Sequence, residues 1–272
     1  MTFTRLPESE YHAHPALSSG IAKTMLNKSP LHARYAQLNP RDESNRTLDI
    51  GSLFHGMVLG RGATPVLYPE DCYKKDGSLN GKPASEFRDS LSEDRIAVKP
   101  ADLETLNGMV KSANEALASI GIVIDPEQSE KQAYTEIDGC PVRAMYDYIP
   151  ADHRLPIVDL KKTQEASPRG IQKAMANYGY DFQREWYGDV YRAMAGLDRE
   201  FLFLFVEEDA PHAWAFATPD WTTREVNAQR CKHARATWKE CLDTGVWPGY
   251  GGRVMQYQMP PWQVTAILEG ME

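Results

Sequence analysis

Asp159 and Lys161 stand two residues apart in the run Ile157-Val158-Asp159-Leu160-Lys161, and Asp147 precedes them in the run Val142 to Ile149. Side chains two apart on a strand leave the same face, so two strands here would place the carboxylate and the ammonium together, with Asp147 opposite. Burying such a set for packing alone is expensive. Two carboxylates converging with main-chain oxygens make a hard-oxygen site, suited to Mg²⁺ or Mn²⁺ rather than zinc. A lysine beside them orients or deprotonates a water and stabilises charge on a phosphate. That is the chemistry of metal-assisted phosphodiester hydrolysis.

The elements that must hold these residues are legible around them. Gln132 to Ile137 and Val142 to Ile149 read as two strands joined through Asp138-Gly139, a hairpin signal, and 157–161 reads as a third. A helical stretch follows from Pro168 to Leu197, broken near Gly179; then come an apolar strand from Phe201 to Val206, a partner from Trp214 to Thr218, and a long helix from Asp220 to Asp243 stopped by Gly245. Upstream, Ser18 and Ser19 can cap a helix through Leu26, and Ser29-Pro30 can start another through Leu38. Leu48 to Leu59 is apolar at helical spacing, Pro100 to Ser119 is a further helix closed by Gly121, and 70–95 reads as polar loop or insertion. His12 and His14 fall in a Pro-containing terminal loop, and Asp152-His153 in another. The expected fold class is α/β (α+β): a central mixed sheet flanked by helices, with helical additions at both ends, as one domain over 1–272.

With the elements in place, the residues resemble a family. Asp147 followed by Asp159-Leu160-Lys161 looks like the PD-(D/E)xK nuclease motif, although Tyr146 stands where its proline would be. Gly51-Ser52-Leu53-Phe54-His55 resembles the GxxxH of the RecB-type branch, and Gln183-Arg184-Glu185-Trp186-Tyr187 resembles its QxxxY, whose first and last side chains share a helix face. Glu136 resembles an assisting acidic residue of the same branch. The chain is most similar to RecE-type, exonuclease VIII-like DNA exonucleases, with Ser29-Pro30 and Val246-Trp247-Pro248-Gly249-Tyr250 as supporting flanks. The resemblance implies a metal set of His55, Asp147, Asp159 and the Leu160 carbonyl holding two Mg²⁺, with Mn²⁺ able to substitute. Lys161, Asp159, Asp147, Glu136, Gln183 and Tyr187 would be the catalytic set. It also implies degradation of linear double-stranded DNA from 5′ ends, leaving 3′ single strands. A ring-shaped homo-oligomer, tetramer or trimer, and a RecT-like single-strand-annealing partner complete the implication. A structure-specific endonuclease, an RNA-directed nuclease, or a catalytically silent nucleic-acid-binding module are the alternatives.

The net charge of −8 over 272 residues argues at first against a nucleic-acid partner. Its distribution argues otherwise. Lys162, Arg169, Lys173 and Arg184 gather near the proposed site as candidate DNA contacts, Lys23, Lys28 and Arg34 lie on the early helices, and Arg224, Arg230, Lys232, Arg235 and Lys239 on the long helix. Acidic residues collect instead at 207–209 and in 70–94. Local positive ground with an acidic remainder suits a nuclease that must stay soluble. Four cysteines without a C-x-x-C pattern make neither a disulfide framework nor a zinc ribbon. With no membrane-length apolar run and no secretion signal in the sequence, a cytoplasmic protein is expected.

Overall fold

The computed structural model describes residues 3–39, 50–92, 94–252 and 254–271. Three short helices open it: α1 (Glu8–Ala13), α2 (Ser19–Asn27) and α3 (Pro30–Leu38). The Ser18 and Ser29 hydroxyls accept hydrogen bonds from the Ile21 and His32 amides at 3.3 and 3.4 Å, and Pro30 fills the first position of α3, so both expected caps form. Next come α4 (Ile50–Leu59), β1 (Thr64–Leu67), α5 (Gly81–Ser90), β2 (Arg95–Val98) and α6 (Pro100–Ser119). The expected start of α4 at Leu48 lies outside the described residues. The main sheet and its helices follow: β3 (Ser129–Ile137), β4 (Cys140–Tyr148), β5 (Ile157–Thr163), α7 (Pro168–Tyr178), α8 (Tyr180–Ala195), β6 (Phe201–Glu207), β7 (Trp214–Ala217), α9 (Trp221–Thr244) and α10 (Pro261–Glu269).

The five strands lie in the order β3-β4-β5-β6-β7, with β5 and β6 parallel and the other pairs antiparallel. The expected mixed sheet flanked by helices is therefore present. Asp138 and Gly139, both with positive φ, make the β3–β4 hairpin. Parallel pairing of β5 with β6 requires a crossover, which α7 and α8 supply. Gly179, at φ 63°, ends one and begins the other, which is the expected break.

Each face of the sheet carries a core. On one side Phe182, Trp186 and Val190 of α8, Trp238 of α9 and Met25 of α2 pack on Val142, Ala144, Tyr146, Phe201, Phe203 and Phe205. On the other, Leu53 and Phe54 of α4 and Leu106 and Met109 of α6 pack on Tyr148, Val158, Leu160, Leu204 and Val206. A regular strand would send Tyr146 and Tyr148 to one face, yet they belong to opposite cores. β4 therefore turns at Asp147. Across from it, between the ladder pairs Lys131↔Tyr146 and Ser129↔Tyr148, Glu130 takes a left-handed φ of 51°.

Two expectations are corrected here. The stretch read as loop or insertion is not wholly loop: a 3₁₀ turn at Glu70–Cys72 and α5 enclose a small core of Tyr68, Cys72, Ala84 and Ala97, under the parallel pair β1–β2. α5 fully buries only Ala84, while Phe87 and Leu91, three and seven residues on, pack partly buried on the same core; the stripe is short and lies among polar and turn residues. His12 lies in α1 rather than in a loop. Among the described residues no helix is long and apolar enough to cross a membrane.

α8 is tied to the sheet by a hydrogen bond from Trp186 Nε1 to the Arg143 carbonyl, at 3.1 Å in the core. Replacing Trp186 with Phe leaves that carbonyl without its partner and should cost about 1–3 kcal/mol in urea unfolding. An unchanged unfolding midpoint would contradict this account of how α8 is anchored.

Candidate active site

The turn at Asp147 takes its side chain out of both apolar cores and over the middle of β5. There Asp147 Oδ2 accepts a hydrogen bond from the Leu160 amide at 2.7 Å. Ile157 packs toward α8 while Val158 and Leu160 pack toward α4 and α6, so Asp159 and Lys161 belong to the α8 side. The Lys161 ammonium pairs with Asp159 Oδ1, and Gln183 of α8 donates to Asp159 Oδ2 at 2.9 Å. Below the ammonium are the rings of Tyr180 and Phe203, with centroids at 4.7 and 5.6 Å. From α4, His55 Nδ1 approaches Asp147 Oδ2 to 3.5 Å. The side chain of Asp159 is 2% exposed, and those of Lys161 and Asp147 are 13% and 17% exposed.

Burial works against every charge in this set. It pushes the Asp159 carboxyl up to about 6, helped by the neighbouring Asp147 charge and opposed by Lys161 and His55. Burial also raises Asp147, against the pull of Lys161 and the Leu160 amide. Lys161 is disfavoured by burial, but Asp159 and Asp147 outweigh it and hold the ammonium above its ordinary pKa. Two carboxylates thus oppose one another's ionisation beside one protonated lysine.

No group of three or more His, Cys, Asp and Glu is drawn into a ready-made metal cage among the described residues. The donor set nonetheless fits a divalent cation. Asp159 Oδ1 is buried and meets only the Lys161 ammonium, and it shares the site with a second carboxylate that repels it and an imidazole.

Of the residues expected here, His55, Asp147, Asp159, Lys161 and Gln183 come together. Tyr187, one turn beyond Gln183, lies in the core behind them, 8% exposed, its carbonyl accepting from the Tyr146 hydroxyl at 2.8 Å. Glu136 does not join them. It is exposed near the hairpin end, where it pairs with Pro141, while the residue across from Asp147 is Glu130. One expected DNA contact is also corrected: Arg184 is 5% exposed and bonds Glu185 at 2.9 Å. Lys162 is exposed and paired with Glu208 at 2.5 Å. Arg169 and Lys173 are exposed on α7. Part of the positive ground expected on α9 is spent internally, since Arg235 is buried against Asp189 at 2.7 Å and Arg224 reaches Glu185 at 3.4 Å. Sequence reasoning missed Tyr180, although its place in the turn before Gln183 put it near the same helix end. It counted Lys23 only as basic ground, whereas Lys23 Nζ donates to the Tyr178 carbonyl at 2.8 Å, and Asp159 and Lys161 both act on its charge.

The raised Asp159 pKa has a definite sign in stability. The folded carboxyl titrates near 6 against an ordinary 3.8, so its favourable protonated contribution is complete below about pH 4 and is lost as pH rises through 6. In metal-free protein, Asp159→Asn should therefore gain stability relative to the parent between pH 4.5 and 7, by on the order of 2–3 kcal/mol. Urea unfolding at both pH values checks this; a pH-independent difference would contradict it.

Comparison with known proteins agrees with this geometry. Residues 18–259 match a family described as a PDDEXK-like domain of unknown function (DUF3799). No curated protein matches the chain. Among solved structures, a candidate exonuclease from Eubacterium rectale superposes with a TM-score of 0.60 over 97% of this chain and 99% of that one, at 13% identity, a likeness of fold. A phage related exonuclease from Haemophilus somnus 129PT covers 71% of this chain and 95% of its own at 11% identity, with a TM-score of 0.36. With the match running through every element of the central sheet, the chain belongs to the PDDEXK-like family DUF3799.

Proposed function

We propose that the chain is a divalent-metal-dependent exonuclease acting on the ends of linear double-stranded DNA. The observation that carries the reading is the convergence of Asp147, Asp159 and Lys161 on one patch between α4 and α8, with His55 at its edge. His55, Asp147, Asp159 and the Leu160 carbonyl would hold Mg²⁺, one ion or two, with Mn²⁺ as substitute. A bound divalent ion supplies Lewis-acid activation of water and of the phosphate. The mutual repulsion of the two carboxylates favours such a cation over none.

The chain's own groups do the rest. Lys161, held protonated by its neighbours, orients the attacking water by donating to it and stabilises the charge that grows on the phosphate oxygens. Gln183 fixes the Asp159 carboxylate by holding one oxygen, as an outer partner of a metal ligand does. Tyr187 backs the carboxylates with a dry wall that keeps the local field strong. Arg169 and Lys173 on α7 face solvent and suit contacts to the phosphate backbone. Polarity from the 5′ end, leaving 3′ single strands for a RecT-like annealing partner, follows from the resemblance of the motifs. A ring-shaped homo-oligomer follows from it too, and α10 is in keeping with self-association: Trp262 is 73% and Leu268 60% exposed, and the helix buries no residue.

Linear duplexes labelled at one chosen 5′ or 3′ end should be degraded in Mg²⁺ while covalently closed circles survive. Lys161→Ala and Asp159→Ala should each lower that rate by at least about 100-fold while keeping the fold by circular dichroism. Full activity in both variants would overturn the assignment, and cutting of closed circles or of RNA would favour an endonuclease or an RNA-directed enzyme.

A further inference from the structure

A column of aromatic rings runs from the core to the surface through the site. Phe205 meets Phe203, and both meet Tyr180, at centroid distances of 5.7–6.2 Å. Tyr180 lies under the Lys161 ammonium and stacks on Tyr178 at 5.4 Å with planes 30° apart. Tyr178 is 64% exposed, at the last position of α7. Tyr178 thus ends a run of ring contacts beside the charged site, stacked on Tyr180 and otherwise largely exposed.

The backbone around it is built to hold it still. Gly179 adopts φ 63°, and a Cβ there would stand 2.9 Å from Lys23 Cδ, so the turn admits the lysine stem only because the residue is glycine. Lys23 Nζ donates to the Tyr178 carbonyl, leaving two ammonium protons for another acceptor. The rim thus presents an exposed ring and a half-buried cation side by side, next to Lys161.

Resting on the nuclease reading, we infer that Tyr178 is a stacking platform for a nucleobase. The base is that of the nucleotide whose phosphate reaches Lys161, and Lys23 contacts an adjoining phosphate of the same strand. Ring faces stack on any base, so the platform gives no sequence preference. It does select strand state: a base can lie flat on Tyr178 only when its own face is free, so the terminal nucleotide is unpaired and splayed as it enters.

The test crosses the protein with the substrate. On the wild-type protein, an abasic residue at the terminal position of the degraded strand should slow cleavage about 10-fold or more. Tyr178→Ala should show the same loss on normal DNA and no further loss on abasic DNA, while Tyr178→Phe stays near wild type. A full abasic penalty persisting in Tyr178→Ala, or wild-type rates of that variant on normal DNA, overturns the platform. Binding gives an independent readout with uncut DNA: 2-aminopurine at the terminal position should change fluorescence with Lys161→Ala protein, and lose that change when Tyr178→Ala is added. An equal change in both proteins overturns the platform as well. If the wild type cuts no nucleic acid but the Tyr178-dependent change is present, the nuclease reading fails and the platform stands.

Discussion

The structure depends on keeping two carboxylates and an ammonium nearly dry at the centre of a sheet. Asp159, at 2% exposure, is the extreme case. An unpaired charge there would be intolerable, and the surroundings read as the answer to that problem. Lys161 neutralises one oxygen, Gln183 binds the other, and the Leu160 amide holds Asp147. The Tyr180 and Phe203 rings support the ammonium from below. The remaining imbalance is negative, two carboxylates to one lysine, and it is the imbalance a divalent cation corrects.

The fold bends to make this arrangement. β4 has to serve the α8 core as far as Tyr146 and the α4–α6 core at Tyr148, and the change of face releases Asp147 between them. Glu130, opposite, takes up the distortion with a positive φ, a conformation that costs free energy for a residue with a Cβ. α8 then closes the site from one side while burying ion pairs of its own: Arg184 with Glu185, and Asp189 with Arg235 of α9. The Asp189–Arg235 pair and the contact of Glu185 with Arg224 fix α8 against α9, and together with Arg184–Glu185 they withdraw arginines from the surface. The positive ground near the site is therefore narrower than a count of basic residues suggests: Lys23 lies at the α7–α8 turn, and Arg169 and Lys173 are exposed along α7.

Much of this was readable in the sequence, and the failures have physical causes. Period-two alternation put Asp159 and Lys161 on one face and Lys162 on the other, and both statements hold. Helical spacing placed Gln183 and Tyr187 on one side of α8, as found. Glu136, carried over from the family resemblance, failed on both face and register: Ala133 and Ile137 pack in the α8 core, so Glu136 leaves the opposite face, and the hairpin register carries it to the far end of the ladder. Arg184 failed because it is buried against Glu185, an ordinary acidic neighbour whose packing only the tertiary structure fixes. Nothing in the sequence announces a left-handed glutamate or the face change it accompanies. α5 is easily passed over because its apolar stripe is only Ala84, Phe87 and Leu91, set in a polar, turn-rich stretch.

The central claim is that the charge imbalance at Asp147 and Asp159 exists to take a divalent cation. Calorimetric titration of the intact protein with Mn²⁺ at pH 7.5 measures it directly. The account predicts saturable binding in the wild type, lost in Asp159→Asn and weakened at pH 5, where the Asp159 carboxyl is protonated. Absence of binding in the wild type, or equal binding by wild type and Asp159→Asn, would contradict it.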